Sequence, residues 1–97
     1  MKAVFVVYNQ SLGRHVREIL NQLTIRGFTR WTDIMGTGSG KGLPHEGTHT
    51  WPDLNNANLV IVEDEKVDSL LSKLQSLDKE VEKEGLRAFV WDIEKMI

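Results

Sequence analysis

The sequence predicts an α+β domain in which two helices cover one face of a four-stranded antiparallel sheet. Short runs rich in β-branched and aromatic residues alternate with two amphipathic segments. Within 97 residues the order is strand, helix, strand, loop, strand, helix, strand. Two split βαβ units of this kind form the ferredoxin-like βαββαβ arrangement. Two unrelated βαβ halves of an open sheet are the alternative.

The first half of the chain carries the first strand-helix-strand unit. Val, Phe and Tyr favour a strand over Ala3–Tyr8, and Ser11 is placed to cap the helix that follows. The helix is predicted from an apolar stripe at Leu12, Val16, Ile19, Leu20 and Leu23. His15 stands at the edge of this stripe and is interpreted as a packing residue. Gly27 ends the segment, and the second strand is predicted over Phe28–Met35.

The second half repeats the pattern. A third strand is predicted over Asn58–Glu63, and Asp64 is the expected N-cap of the second helix. The apolar stripe of that helix comprises Val67, Leu70, Leu71, Leu74, Leu77 and Val81. Gly85 is expected to stop the helix, and Leu86–Asp92 is the predicted fourth strand.

The length and composition of the chain exclude several classes of function. The length predicts a single domain over residues 1–97. The absence of cysteine excludes disulfides, thiolate metal sites and a cysteine nucleophile. A formal charge of -2 without a basic stripe argues against nucleic-acid binding. The apolar run at the N-terminus is too short for a signal peptide or a spanning helix, so a cytoplasmic protein without membrane insertion is expected.

Three of the predicted strands are apolar without alternation, at residues 3–7, 59–62 and 88–91. A sheet with one wet face should alternate apolar and polar residues. Because two helices can cover only one face, self-association through the other face is the simplest explanation. Trp31 and Trp91 lie on strands and are expected to fill the subunit interface.

The segment 36–52 is the candidate functional loop. It holds five of the eight glycines, both prolines and two of the three histidines. It is not a P-loop, because Met35 stands at the first glycine position and Gly42, rather than Ser or Thr, follows Lys41. Its interpretations are a flexible connector or a backbone-amide anion site that uses Lys41.

The loop histidines suggest metal binding as a second hypothesis. His45 and His49 flank Glu46-Gly47-Thr48, and a bend at Gly47 would let both imidazoles and the Glu46 carboxylate converge. Such ligands suit zinc, copper or nickel. The alternative is that both histidines titrate freely. No common catalytic motif is present in the sequence, so a non-enzymatic function is expected.

Five stretches in this order carry a resemblance to a known family. They are residues 16–20 (Val-Arg-Glu-Ile-Leu), 25–29 (Ile-Arg-Gly-Phe-Thr), 36–42 (Gly-Thr-Gly-Ser-Gly-Lys-Gly), 64–68 (Asp-Glu-Lys-Val-Asp) and 87–90 (Arg-Ala-Phe-Val). Over nearly its whole length the chain resembles the nitrogen-regulatory PII signalling proteins and their PII-like relatives. Residues 36–42 match the Gly-x-Gly-x-x-Lys-Gly opening of the T-loop, and residues 87–90 look like the family's Lys-Ile-Phe-Val strand.

The resemblance implies a ferredoxin-like homotrimer whose sheets face the trimer axis. It implies a signalling role in nitrogen regulation, in which a small ligand or ion is sensed and a partner protein, a transporter or an enzyme, is controlled through the shortened T-loop-like segment 36–52. Thr29 and Arg87 fall where family members contact nucleotide. With the loop residues Gly36, Gly38 and Lys41, they form the predicted ligand-binding set.

Departures from the family pattern argue against ATP or ADP as the ligand. The stretch Glu80–Gly85 is acidic where the family has a glycine-rich phosphate-binding B-loop, and clustered carboxylates repel phosphate. Gly40 replaces the T-loop glutamine, and the C-terminal arginines have no counterpart. The ligand is therefore left unknown, with a divalent metal as the candidate cofactor. The alternative function is a zinc- or copper-binding trimer related to copper-tolerance proteins, with His45, Glu46 and His49 as ligands.

Overall fold

The computed structural model describes residues 1–37, 44–45, 54–81 and 85–97. The strands are β1 (Lys2–Asn9), β2 (Phe28–Ile34), β3 (Gly36–Thr37), β4 (Pro44–His45), β5 (Asn55–Val62) and β6 (Leu86–Asp92). A 3-10 turn at Gln10–Leu12 precedes α1 (Gly13–Gln22), and α2 spans Asp64–Glu80. The main sheet has the order β2-β5-β1-β6 with antiparallel neighbours, and β3 pairs with β4 in a short ribbon. The predicted βαββαβ fold is confirmed.

The hydrophobic core lies between one face of the sheet and the two helices. In β1, Val4, Val6 and Tyr8 point into it, because successive residues of a strand face opposite sides. The buried helix residues are Val16, Ile19 and Leu20 of α1 and Val67, Leu70, Leu74 and Leu77 of α2. The predicted helical stripes are thus confirmed as core-facing. No helix in the described ranges is long and apolar enough to cross a membrane.

Both predicted helix caps differ from the observed ones. The Asn9 side chain, rather than Ser11, is the cap: its Oδ1 accepts a hydrogen bond from the Ser11 N–H at 2.9 Å and caps the 3-10 turn. Glu63, rather than Asp64, stands at the N-cap of α2. Asp64 lies in the first turn, where its charge favours the helix dipole, and pairs with the Met1 amino group at 3.1 Å.

Strand β5 begins at Asn55, three residues before the predicted start. Asn55 and Asn56 are poor β-formers, but they pair with Asn9 and Tyr8 of β1, so tertiary pairing overrides their propensity. The sequence predicts His15 as a packing residue at the edge of the α1 stripe. It is exposed instead and lines an open groove between α1 and α2, because the apolar stripe of α1 turns the neighbouring residues Val16 and Ile19 inward.

Strand β2 contains a bulge where it approaches the loop. Trp31 pairs with Ala57, whereas Ile34 pairs with Asn55, so β2 has one residue more than its partner strand over this stretch. The extra residue of the bulge is accommodated by a left-handed backbone conformation at Asp33, with a φ of 58°. The Asp33 N–H donates to the Asn56 Oδ1 at 3.2 Å. The bulge turns the chain out of the main sheet and toward β3.

Candidate ligand-binding site

The face of the sheet opposite the helices, called here the open face, is rich in exposed apolar side chains. Three aromatic residues on it are about half exposed: Trp31 at 45%, Phe89 at 54% and Trp91 at 50%. The strand register places Phe5 opposite Phe89, and the ring of Phe5 meets that of Trp31 edge-on. The open face therefore holds a contiguous aromatic surface that nothing in the described part of the chain covers.

The base of the loop and the start of β6 meet at one end of the sheet. A Cβ added at Gly36 would lie 3.0 Å from the Asn55 Nδ2, so Gly36 packs closely on the first residue of β5. Asn55 is paired with Asn9, and the Asn9 N–H donates to the Gly85 carbonyl at 3.2 Å. Arg87 follows two residues later. The predicted ligand residues Gly36 and Arg87 are therefore brought to the same end of one chain.

Arg87 is held by the last turns of α2. Its Nη1 donates to the Leu86 carbonyl at 2.8 Å and lies 3.6 Å from the Asp78 Oδ2. The other oxygen of this carboxylate, Oδ1, accepts a hydrogen bond from the Leu86 N–H at 3.1 Å. Asp78 thus binds both the backbone at the start of β6 and the guanidinium of Arg87. This residue was missed by the sequence analysis, because only the folded chain brings position 78 to position 86.

Thr29 lies at the far edge of the sheet from Arg87. Thr29 belongs to edge strand β2 and is opposite Leu59, whereas Arg87 belongs to edge strand β6 and is opposite Val7. Strands are spaced by about 4.8 Å, so three spacings separate the two edges by roughly 14 Å. The backbone of one chain therefore holds Thr29 and Arg87 well apart. Adjoining edges of two copies would bring Thr29 of one copy close to Arg87 of the other.

The remaining predicted ligands fall partly outside the described residues. Gly38 and Lys41 of the ligand set, and Glu46 and His49 of the metal set, lie there. His45 is in β4, where it pairs with Gly36. Among the described residues, no group of three or more His, Asp or Glu side chains could hold a metal ion. The metal-ligand set stays a prediction.

A buried polar network, also missed by the sequence analysis, supports this end of the sheet. The Tyr8 hydroxyl donates to the Asn58 Oδ1 at 2.5 Å, and both side chains are almost completely buried. Burial raises the pKa of Tyr8, and the charges of Arg30 and Arg17 oppose this rise. The neutral phenol therefore keeps its proton, and the network fixes β1 against β5 beneath the loop base. The sequence places Tyr8 and Asn58 in predicted strands, but it does not show which residues of the two strands lie opposite each other.

The element order and strand order define a ferredoxin-like domain, and its family follows from comparison with known proteins. Residues 1–97 match the family model described as Nitrogen regulatory protein P-II. The chain belongs to this family. The resemblance inferred from the sequence is confirmed, and members of this family are regulatory proteins rather than enzymes. No curated protein sequence matches this chain.

Solved structures of PII-like proteins share the fold. The structure of CPII, a nitrogen regulatory PII-like protein from Thiomonas intermedia K12, bound to ADP, AMP and bicarbonate, has a TM-score of 0.78 at 21% identity and covers 95% of this chain and 84% of its own. The same protein bound to ADP and bicarbonate gives 0.76 at 22% identity, with the same coverage. A PII-like signalling protein from Thermus thermophilus gives 0.64 at 23% identity and covers 93% of this chain and 83% of its own.

These structures correct the cofactor expectation. The sequence predicts an unknown ligand, with a divalent metal as a candidate and ATP or ADP set aside, but CPII of the same fold binds ADP and AMP. The expectation against ADP is wrong because repulsion by the acidic stretch Glu80–Gly85 was taken as decisive, although a guanidinium such as that of Arg87 can form charge-assisted hydrogen bonds with phosphate.

Proposed function

We propose that this chain is a PII-type regulatory protein that assembles as a homotrimer, binds ADP or AMP between neighbouring copies and acts on a partner protein through the segment 36–52. The observation that carries the proposal is the placement of Thr29 and Arg87 on opposite edge strands of one sheet. A compact site that uses both residues is most simply formed where the edges of two copies adjoin.

The open face supports assembly. Trp31, Phe89 and Trp91 are each about half exposed, and full burial of a large apolar side chain is worth roughly 1.5–3 kcal/mol. A ring of three copies with the open faces turned inward would bury these rings together. The helices would remain outside, with their polar surfaces in water.

The nucleotide site would form where the β2 edge of one copy lies beside the β6 edge of the next. One copy would contribute Gly36 and Arg87, which already lie at the same end of the sheet, and the neighbouring copy would contribute Thr29. Arg87 suits a phosphate because its guanidinium forms paired, charge-assisted hydrogen bonds with phosphate oxygens. Support for ADP and AMP comes from the nucleotide-bound CPII structures of the same fold.

Signalling to the partner protein is assigned to the segment 36–52. Its base is the β3–β4 ribbon, and Gly36 in β3 packs on Asn55 at the end where the phosphates would bind. A ligand at this end would therefore touch the base of the segment. The partner protein would recognise the conformation that the segment 36–52 adopts when the ligand is bound, as in other ligand-ordered switches.

Two measurements test this function. Light scattering on the purified chain should give three times the monomer mass. Calorimetry should detect ADP and AMP, with and without bicarbonate, and Arg87→Gln should weaken both nucleotides at least tenfold, because a charge-assisted hydrogen bond is worth about 1.5–3 kcal/mol. Arg26→Gln, an exposed arginine in the α1–β2 turn, is the matched control and should leave affinity unchanged. A chain that remains monomeric and takes up no nucleotide at millimolar concentration refutes the proposal.

A further inference from the structure

The ion pair between Asp78 and Arg87 stands at the proposed phosphate position. Asp78 lies near the C-terminal end of α2, Arg87 is the second residue of β6, and their closest charged atoms are 3.6 Å apart. The Asp78 side chain is about one-third exposed and that of Arg87 about half exposed. Water and solutes therefore reach the pair, and an anion arriving at Arg87 meets the carboxylate beside it.

The two oxygens of Asp78 have separate roles. Oδ1 is fixed by the Leu86 N–H, which places Oδ2 next to Nη1 of Arg87. The same Nη1 donates to the Leu86 carbonyl, so the guanidinium is held against the backbone of the preceding residue. Of the five N–H donors of the arginine, one on Nη1 is occupied by the Leu86 carbonyl, and the Asp78 carboxylate acts on the guanidinium as a nearby opposite charge at 3.6 Å. The Leu86 contact thus keeps the carboxylate in place whether or not Arg87 stays beside it.

We infer that Asp78 competes with the nucleotide phosphate for Arg87 and sets the affinity of the nucleotide site to a lower value than Arg87 alone would give. The inference rests on the proposed nucleotide function and adds an internal anionic competitor to it. Bound phosphate would take the guanidinium from Oδ2, while Oδ1 would keep the Leu86 N–H. A carboxylate that holds the guanidinium lowers the affinity of the site, so that its occupancy would vary with nucleotide concentration.

The decisive variant is Asp78→Asn. Its amide oxygen can still accept the Leu86 N–H, while the negative charge is lost. Asp68→Asn is the matched control, since it removes the same charge from an exposed position near the other end of α2, and Asp68 forms no ion pair within the described residues. ADP affinity should rise about three- to tenfold in Asp78→Asn and change less than about twofold in Asp68→Asn, as expected for one partly exposed charge interaction.

A double-mutant cycle isolates the competition. In an Arg87→Gln background, Asp78→Asn should no longer raise ADP affinity, because the guanidinium for which Asp78 competes is absent. An equal gain in both backgrounds, or an equal gain from Asp68→Asn, would show general charge repulsion and overturn the inference while leaving nucleotide binding standing. Absence of ADP and AMP binding in all variants would overturn the proposed function as well.

A second measurement uses the unaltered chain and does not depend on how the variants fold. The ¹⁵N resonance of the Arg87 side-chain Nε, assigned by its absence from the Arg87→Lys spectrum, should shift as ADP is added. The side-chain carboxyl ¹³C resonance of Asp78 should shift in parallel with the same midpoint. Nucleotide binding that leaves both resonances in place would contradict the exchange of partners.

Discussion

The indole of Trp31 lies edge-on against the ring of Phe5, with ring centroids 6.2 Å apart and the planes inclined by 63°. The pair joins edge strand β2 to the central strand β1 across the open face. Edge-to-face geometry of this kind adds about 0.5–1.5 kcal/mol to area burial. Part of the aromatic surface of the open face is therefore organised within one chain.

Phe89→Asp should separate the assembly without unfolding the chain. Phe89 is 54% exposed in a single copy, so a carboxylate there remains hydrated in the monomer but would be buried in an interface. Light scattering should give the monomer mass, and circular dichroism should retain the folded spectrum. The control is Asn21→Asp, which adds the same charge on the exposed side of α1. A Phe89→Asp protein with an unchanged mass would place the interface elsewhere.

Tyr8→Phe should destabilise the fold by about 1–3 kcal/mol, the usual cost of leaving a buried polar group unpaired, because Asn58 loses the hydroxyl that it binds. Denaturant unfolding at pH 7 measures the loss. Tyr8→Phe combined with Asn58→Leu should recover part of it, since both polar partners are then absent. If Tyr8→Phe is as stable as the original chain, the hydrogen bond between Tyr8 and Asn58 does not stabilise the fold.

Asp33→Val should cost about 1–2 kcal/mol, because Asp33 has a φ of 58° and a β-branched side chain is strained in the left-handed region. Thr32→Val is the matched control: it places the same residue next to the bulge at an exposed position of the strand and should change stability little. Thermal unfolding compares the two. Equal effects would mean that the bulge relaxes around the new side chain.

The Lys2–Asp92 pair should make a small, pH-dependent contribution to stability. The hydrogen bond and charge of Lys2 lower the pKa of Asp92, and those of Asp92 raise the pKa of Lys2. The Asp92 contribution is present above its unfolded pKa, about 3.9, and is lost as pH falls through the lowered folded value. The Lys2 contribution is present below about pH 10.4 and is lost as pH rises through the raised folded value.

Asp92→Asn removes both contributions at once. The difference in melting temperature between the original chain and this variant should be positive at pH 7 and should vanish well below about pH 3.9, where the carboxyl is protonated in both states. A difference that persists at low pH would indicate a role for Asp92 other than the ion pair.

The fold could be predicted because its signals are local. The stripes at Val16, Ile19 and Leu20 and at Leu70 and Leu74 have helical spacing that depends only on neighbours within a few residues, and they became the core. The resemblance over the whole chain then identified the family.

The details at the loop end of the sheet could not be predicted, because distant parts of the chain determine them. The bulge at Asp33 exists because β5 offers one residue fewer than β2 at that point. Asn55 enters β5 because Asn9 is there to pair with it. The Asp78 carboxylate reaches Leu86 only after α2 and β6 pack together. Neither spacing nor propensity encodes these contacts.

The half-exposed indoles of Trp31 and Trp91 give the chain a built-in optical reporter. Indole fluorescence shifts to shorter wavelength when water is excluded, so association through the open face would shift the emission of both residues to the blue. Dilution through the dissociation range would reverse the change. In a Trp51→Phe background, which removes the third tryptophan of the chain, the concentration at which the copies dissociate could be measured on unlabelled protein. Trp31→Phe and Trp91→Phe would then divide the signal between the two edges of the sheet.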